Sequence, residues 1–334
     1  MNQNHKRPRV GLLGVGWIGR HRMEAALATG AIEAAALSDP SDAMVADALK
    51  LAPDARVVAS LDDMLAMGLD GVVVATPSAL HAPQSAQALQ AGAAVFCQKP
   101  LGRTAEEVRG VVEAARAADR LLGVDFSYCF TEGMRRIRDL VAGGELGPVY
   151  AADLTFHNAY GPDKPWFYDP AQSGGGCMMD LGIHLIDLAL WTLDFPIVER
   201  VESALFAKGA PLADHHAQVE DYGIATLRLA GGAVVRIACS WNLHAGRDAV
   251  IEAAFHGREG GAAMRNVGGS FFDFAAERHR GTKAETLAAP PDAWGGRAVA
   301  DWARRLAAGE GFSPEAERFI QAHEVLDRVY AGRG

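Results

Sequence analysis

Residues 9–20, RVGLLGVGWIGR, restrict the fold of this chain more than any other stretch. A short apolar run from Val10 to Leu13 meets Gly14, Gly16 and Gly19, and a helix-compatible segment follows at once. The first glycine of such a turn permits the tight passage from strand to helix. The second lets a pyrophosphate lie against bare backbone, and the third lets helix and strand pack closely. Glycine-rich turns are common in α/β proteins, so the flanks decide the reading. Here a strand precedes, a helix follows, and Asp39 closes a second apolar run about twenty positions on, where ribose hydroxyls would be met. The stretch reads as a dinucleotide site.

The same alternation continues to about residue 124. Strand-type runs at 9–13, 33–38, 71–75, 94–97 and 121–124 alternate with helical patterns at 18–28, 42–49, 61–66, 80–91 and 105–118. Continuous apolar strands between amphipathic helices predict a mainly parallel, doubly wound α/β sheet covered on both faces, a Rossmann-type domain over 1–124. Ligands in such sheets sit beyond the carboxyl ends of the strands. After a helix at 131–142 the sequence turns β-rich, with strands at 149–157, 200–207, 221–230, 233–242 and 249–256. Turn residues at 230–232 and 244–246 predict hairpins. This second domain, 125–334, is expected to be α+β with a mostly antiparallel open sheet and a closing helix at about 313–331.

Composition excludes several classes. A length of 334 residues suits two domains with sizeable cores, and 49 % hydrophobic with 22 % charged residues is ordinary for a globular chain. A net charge of −9 without a basic cluster argues against nucleic acid. No apolar run is long enough to cross a bilayer, and the start, MNQNHKRPRV, lacks the apolar core of a signal peptide. Four scattered cysteines (Cys97, Cys129, Cys177, Cys239) read as buried thiols in a reducing compartment, so a cytoplasmic location is expected. No metal is expected: His215 and His216 are adjacent, but the sequence places no third ligand beside them.

Several strand ends carry candidate chemistry. Asp39, with no arginine behind it to receive a 2′-phosphate, favours NAD over NADP. Small residues and a proline in ATPSALH (75–81) keep the backbone open where a cofactor would pass; His81 reads as a helix-start histidine without a catalytic part. Lys99, in QKP, stands at the carboxyl end of a strand and reads on its own either as a cofactor-facing group or as a solvated loop lysine. In SGGGCMMDLGIHLIDLALWTLD (173–194), Asp180 and His184 are four apart, so on an α-helix they share one face. That arrangement suits proton transfer, and equally a capping aspartate beside a satisfied histidine. Tyr128, His157, Tyr160, Trp166 and Trp241 have the faces and edges that sugars pack on, though each fits a core or a subunit interface as well.

Taken together, GLLGVGWIGR, ATPSALH, QKP and GGGCMMDLGIH, in that order, resemble the Gfo/Idh/MocA family of oxidoreductases along essentially the whole chain. The resemblance implies hydride transfer between a nicotinamide and a sugar, inositol or polyol carbon bearing a hydroxyl, and assembly as a homodimer or homotetramer through the second domain's sheet. It implies cofactor contacts from Gly14, Gly16, Trp17, Ile18, Gly19, Asp39, Ala75, Thr76, Pro77, His81, Gln98 and Lys99. Lys99 matches the lysine of the family's E-K-P element, and Asp180 and His184 match its D-x-G-x-H element. In that reading His184 is the base, Lys99 steadies the alkoxide and relays the proton, and Asp180 holds a substrate hydroxyl; members differ in whether lysine or histidine is credited. The chain departs from the pattern at Gln98, where the family carries glutamate. That removes a negative charge beside Lys99 unless another acid compensates. Two rival readings stand beside this one: internal redox on a retained cofactor, as sugar–sugar oxidoreduction or oxidation-assisted elimination, and an inactive NAD- or sugar-sensing protein, toward which only Gln98 leans.

Overall fold

The computed structural model describes residues 7–332. The first elements are β1 (Arg9–Leu13), α1 (Trp17–Ala28), β2 (Glu33–Ser38), α2 (Asp42–Leu49), β3 (Arg56–Val57) and α3 (Leu61–Leu65). They are followed by β4 (Gly71–Val74), α4 (Ser78–Gln90), β5 (Ala94–Cys97), α5 (Ala105–Ala118) and β6 (Leu122–Val124). Next come α6 (Glu132–Ala142), β7 (Val149–Asn158), a single turn α7 (Pro170–Ser173) and a π-helical turn, Met178–Gly182, that runs into α8 (Ile183–Thr192). The remainder is β8 (Val198–Ala207), β9 (Ala210–Pro211), β10 (Tyr222–Leu229), β11 (Val234–Ser240), β12 (Ala249–Gly257), β13 (Gly261–Asn266), β14 (Phe274–Arg280), β15 (Lys283–Ala288), α9 (Arg297–Ala307) and α10 (Glu317–Ala331).

The chain forms two compact units. The first comprises residues 1–102, 106–125 and 296–320; the second holds 103–105, 126–295 and 321–334. The sequence boundary at 124 therefore omits a return: residues 296–320, expected in the second domain, belong to the first unit. The reason is visible at α9. Its Trp302 packs on Phe96 of β5 with 6.0 Å between ring centroids, over a surface flattened by Gly71 and Gly123. A Cβ at Gly71 would lie 2.9 Å from the Trp302 ring, so that strand can take only glycine there without the indole moving.

All strand pairs of the first unit are parallel, in the order β3-β2-β1-β4-β5-β6. That is the doubly wound order whose switch point lies between β1 and β4, beyond whose carboxyl ends dinucleotides bind. β4 and β5 are buried along their whole length, as strands covered on both faces must be.

The second unit is built on a nine-stranded sheet, β15-β14-β13-β12-β7-β11-β10-β8-β9, antiparallel except for the parallel pair β7–β11. β10 and β11 form the hairpin expected from the turn at 230–232. The turn at 244–246 closes no hairpin, because β7 lies between β11 and β12 and pairs with both. β13, β14 and β15 were not expected from the sequence, since their small and charged residues give little apolar alternation. Helices α6 and α8 cover one face of this sheet. All four cysteines are buried free thiols.

Candidate active site

In the first unit, Gly14 turns the chain after β1 at a φ of +84°, an angle glycine adopts without steric cost. A Cβ on Gly14 would collide with the Ala75 carbonyl oxygen, and one on Gly19 with the Gly14 carbonyl oxygen. Packing thus forces both. Gly16 is different, because a Cβ there would meet nothing within 4 Å. Its backbone opens onto space at the N-terminus of α1, a helix with no side-chain cap and no acidic residue in its first turn. Such an end attracts an anion through its N–H groups and its dipole. Trp17 is exposed beside it, stacked on His21, and Ile18 is half-buried.

Asp39, just past β2, accepts the Val15 N–H at 2.8 Å on one oxygen and the Ser41 N–H at 2.9 Å on the other. The carboxylate is fixed onto the glycine loop, where it suits ribose hydroxyls and repels a 2′-phosphate. Open backbone at Gly16, an uncapped helix end and a held carboxylate together fit a dinucleotide. Ala75, Thr76 and Pro77 follow β4 half-buried, with Thr76 Oγ1 donating to Gln84 at 2.6 Å.

His81, expected among the cofactor contacts, has both ring nitrogens committed to the protein itself. It is buried, with its two ring nitrogens each 2.6 Å from a carbonyl oxygen, those of Pro100 and Thr76. It braces the loop after β4 against the turn after β5. Burial pushes its pKa down, against the upward pull of the two carbonyls and with a further push from the Lys99 charge.

Lys99 stands half-buried at the end of β5, ahead of a cis bond to Pro100. The acid missing at position 98 is found one strand over. Gln98 Nε2 donates to Asp125 Oδ2 at 2.7 Å, and Arg22 Nε of α1 donates to the same oxygen at 2.5 Å. All three side chains are buried. The sequence held one signal for this cluster: Gly19, Arg22, Met23 and Ala26 make up the buried stripe of α1, and an arginine there requires a counter-charge.

In the second unit, the three glycines at 174–176 lead into the segment bearing Asp180 and His184. Their size has a physical cause: Cβ atoms on Gly175 and Gly176 would collide with the Tyr330 hydroxyl and the Glu220 carbonyl oxygen. Glu220, fully buried, accepts N–H groups from Gly176 (3.0 Å) and Met178 (2.8 Å) and the Tyr330 hydroxyl (2.8 Å). Tyr330 in turn accepts the Met179 N–H at 3.1 Å. A carboxylate and a phenol thereby satisfy the N–H groups at the start of the segment that its own helix cannot. Burial pushes the carboxyl of Glu220 up, opposed by these donors. Neither residue was expected from the sequence, in which QVEDY looks like an ordinary polar entry to a strand.

The segment is not the continuous α-helix predicted. Over Met178–Gly182 it is π-helical, with the Ile183 N–H reaching back five residues to the Met178 carbonyl. Spacing by four in such a turn no longer sets the α-helical register between Asp180 and His184. Single π turns of this kind recur at functional sites.

Asp180 Oδ2 accepts the Trp241 indole N–H at 3.1 Å. Trp241 is 3 % exposed, so it acts beneath the carboxylate and offers little face to a ligand. Around it, Phe167 and Tyr168 lie 6.3 and 5.7 Å away between ring centroids, and Trp166 stacks on Phe167 at 3.8 Å. Trp166 and Trp241, each a substrate candidate from the sequence, are thus joined through Phe167 at the Asp180 turn. Burial and the charges of Asp163 and Asp180 push the Tyr168 phenol up.

His184, at the start of α8, is buried against Tyr128 and Phe126, with ring centroids at 5.0 and 6.1 Å. Tyr128 also meets Phe156, Phe274 and Trp294. A small cavity beside His184 is lined by Tyr128, Phe156, Leu188, Ile251 and Met264 among others. Asp187, one turn on, is buried and accepts the Cys129 thiol at 3.2 Å.

His157 is not brought to this group. Phe156 lines the His184 cavity, and alternation along β7 sends His157 to the opposite face of the sheet, where it bonds Ser240 at 2.7 Å and stacks on Tyr222. Tyr160 is exposed and donates to Asp248 at 2.6 Å. Among the described residues, no three His, Cys, Asp or Glu side chains are grouped to hold a metal ion.

Comparison with known proteins accords with this geometry. Residues 8–126 match the model of an oxidoreductase family with an NAD-binding Rossmann fold, and residues 134–263 match the GFO/IDH/MocA C-terminal domain. Inositol 2-dehydrogenase of Acidiphilium cryptum is 33 % identical over 260 residues, 77 % of this chain and 73 % of that protein. D-glucoside 3-dehydrogenase of Escherichia coli is 29 % identical over 211 residues, 60 % of either chain, so the match spans less than two thirds of that enzyme. The solved structure of GenD2 from gentamicin A biosynthesis, in complex with NAD, aligns with a TM-score of 0.81 at 25 % identity, over 98 % of this chain and 95 % of that one.

Proposed function

The chain belongs to the Gfo/Idh/MocA family of NAD-binding oxidoreductases, and from that premise we propose that it moves a hydride between NAD and the hydroxyl-bearing carbon of a sugar, inositol or related polyol. The observation that carries this reading is the hydrogen bond from Trp241 to Asp180, which holds a carboxylate in place among aromatic rings. A fixed carboxylate orients a hydroxyl, and aromatic faces suit the C–H patches of a sugar.

The glycine loop and Asp39 would hold NAD, whose nicotinamide would supply the hydride acceptor or donor. The chain's own residues do the rest. Asp180 accepts a substrate hydroxyl and fixes its orientation. His184 takes the hydroxyl proton at its imidazole as the carbon is oxidised, and returns it in the reverse direction. In this reading Lys99 stabilises developing alkoxide charge and helps relay the proton. The relatives act on inositol and glucosides by name, which supports a polyhydroxylated substrate.

The test is a screen of aldoses, inositols, sugar acids and amino sugars with NAD and, separately, NADP, following absorbance of the reduced nicotinamide. Turnover of one panel member with NAD, lost about a hundredfold or more in kcat in His184→Ala with NAD affinity unchanged, is the expected result. An active His184→Ala variant would remove His184 from the chemistry. Silence across the panel, with NAD still bound by calorimetry, would favour internal redox or sensing.

A further inference from the structure

We propose that Asp125 is a positioning residue for Lys99: it supplies, from the end of β6, the carboxylate that position 98 lacks, and with Arg22 it locks Gln98 in place. The proposal rests on the reading of Lys99 as a catalytic group.

The strand ends are in register, with Cys97 paired to Val124 and the Asp125 N–H donating to the Cys97 carbonyl at 3.0 Å. Gln98 and Asp125 are therefore neighbours by sheet geometry, and their side chains meet on the same buried spot. Arg22 brings one positive charge, Asp125 one negative charge and Gln98 none, so the cluster is neutral. Each member depends on the others. A buried arginine without its carboxylate carries an uncompensated charge, and a buried amide without an acceptor loses its orientation. Because Gln98 immediately precedes Lys99, and its own N–H is held by the Val74 carbonyl at 2.8 Å, fixing the Gln98 side chain fixes the stem from which Lys99 projects. Arg22 sits three residues after Gly19, so the same cluster ties the glycine-loop helix to the Lys99 strand.

One consequence runs against intuition. Glutamate at position 98 would set its carboxylate against that of Asp125, with one arginine to offset both charges, in a site with little water. Restoring the family residue should therefore damage this protein unless Asp125 is changed with it. In the exchange Gln98→Glu with Asp125→Asn, amide and carboxylate trade strands, one N–H···O bond survives between them, and the cluster is neutral again.

The experiment compares Gln98→Glu, Asp125→Asn, the double exchange and Lys99→Met by thermal unfolding of the cofactor-free protein, by calorimetric NAD affinity, and by kcat and KM on the best substrate of the panel. Each single exchange is expected to lower the unfolding midpoint and to reduce kcat by about tenfold or more, with substrate KM little changed. The double exchange is expected to recover both midpoint and kcat to within about threefold of the parent rate. Gln98→Glu with parental midpoint and kcat overturns the proposal, as does a double exchange no better than the two singles combined. Recovery of the midpoint without recovery of kcat also overturns it, because the cluster is then merely structural. An active Lys99→Met variant overturns it through the Lys99 reading, whereas failed rescue beside an inactive Lys99→Met leaves that reading standing and removes only this one. Should Asp125→Asn fail to fold alone, Gln98→Glu against the double exchange carries the comparison.

Discussion

Trp241 lies just past the end of β11 and hands its indole N–H to the Asp180 carboxylate on the π-helical turn, 3.1 Å away. The donor is almost wholly buried while the acceptor is half-exposed. A carboxylate held this way has one oxygen committed to the protein and its plane set before any substrate arrives. Replacing Trp241 by phenylalanine keeps most of the packing and removes the N–H. We expect kcat/KM to fall about tenfold to a hundredfold, matching roughly 1.5–3 kcal/mol for a hydrogen bond to a charged group. NAD affinity by calorimetry should not move; an unchanged kcat/KM would mean that Asp180 needs no such support.

Cofactor choice follows from Asp39, whose two oxygens are pinned by the Val15 and Ser41 N–H groups. A pinned carboxylate cannot swing away from a 2′-phosphate. The parent protein should prefer NAD strongly, and Asp39→Ser should weaken NAD by about tenfold or more while improving NADP. Calorimetric titration with both cofactors decides; equal affinities in the parent would refute the assignment.

Glu220 and Tyr330 hold the entry to the Asp180 segment through four hydrogen bonds. Glu220→Gln turns one acceptor into a donor facing donors, at a cost of roughly 1–3 kcal/mol for the buried groups left unpaired. Tyr330→Phe removes the hydroxyl that both gives and receives. Both variants should unfold at lower temperature, Glu220→Gln more so, as read by circular dichroism. Gly176→Ala should not fold at all, because its Cβ meets the Glu220 backbone.

Acid should loosen the loop after β4. Burial lowers the pKa of His81 below the ordinary histidine value of 6.5. The unfolded chain therefore binds the proton first, and stability is fully present above that value and declines as the pH falls through it toward the folded pKa. His157, lowered by burial alone, adds in the same direction. Unfolding midpoints measured from neutral to acidic pH should fall below about 6.5, and His81→Gln should flatten part of that slope. A flat parental profile would contradict both histidines.

How much of this could be read from the chain varies by region, for physical reasons. Strands β1, β2, β4, β5 and β6 were legible because strands covered on both faces are apolar runs punctuated by glycine, whereas β3, two exposed residues, was not. β15 was not, since an edge strand reading KAETLA has its first four residues exposed and shows no apolar face. The π turn was invisible because one glycine, Gly182, does not by itself distinguish a π turn from an α-helix, and the side chains that hold its start lie far along the chain in Glu220 and Tyr330. The motifs name Lys99, Asp180 and His184 as candidates, whereas Asp125 meets Gln98, Trp241 meets Asp180 and Glu220 meets Met178 across chain separations of 27, 61 and 42 residues, which local spacing does not report. His157 lies on the face of β7 opposite Phe156, a matter of one step of strand alternation that composition does not report.

Residues 296–320 give the first unit its α9, whose Trp302 seals Phe96, Gly71 and Gly123. On the ribosome this seal emerges only after β15. The nucleotide-binding half is begun before the nine-stranded sheet and closed after it, so until α9 is made the flank at Phe96 lacks its cover, and this half cannot be lifted out by cutting after Asp125. A fragment ending there should be poorly soluble, and a separately supplied C-terminal peptide should rescue it, a division of labour in time that the final fold no longer displays.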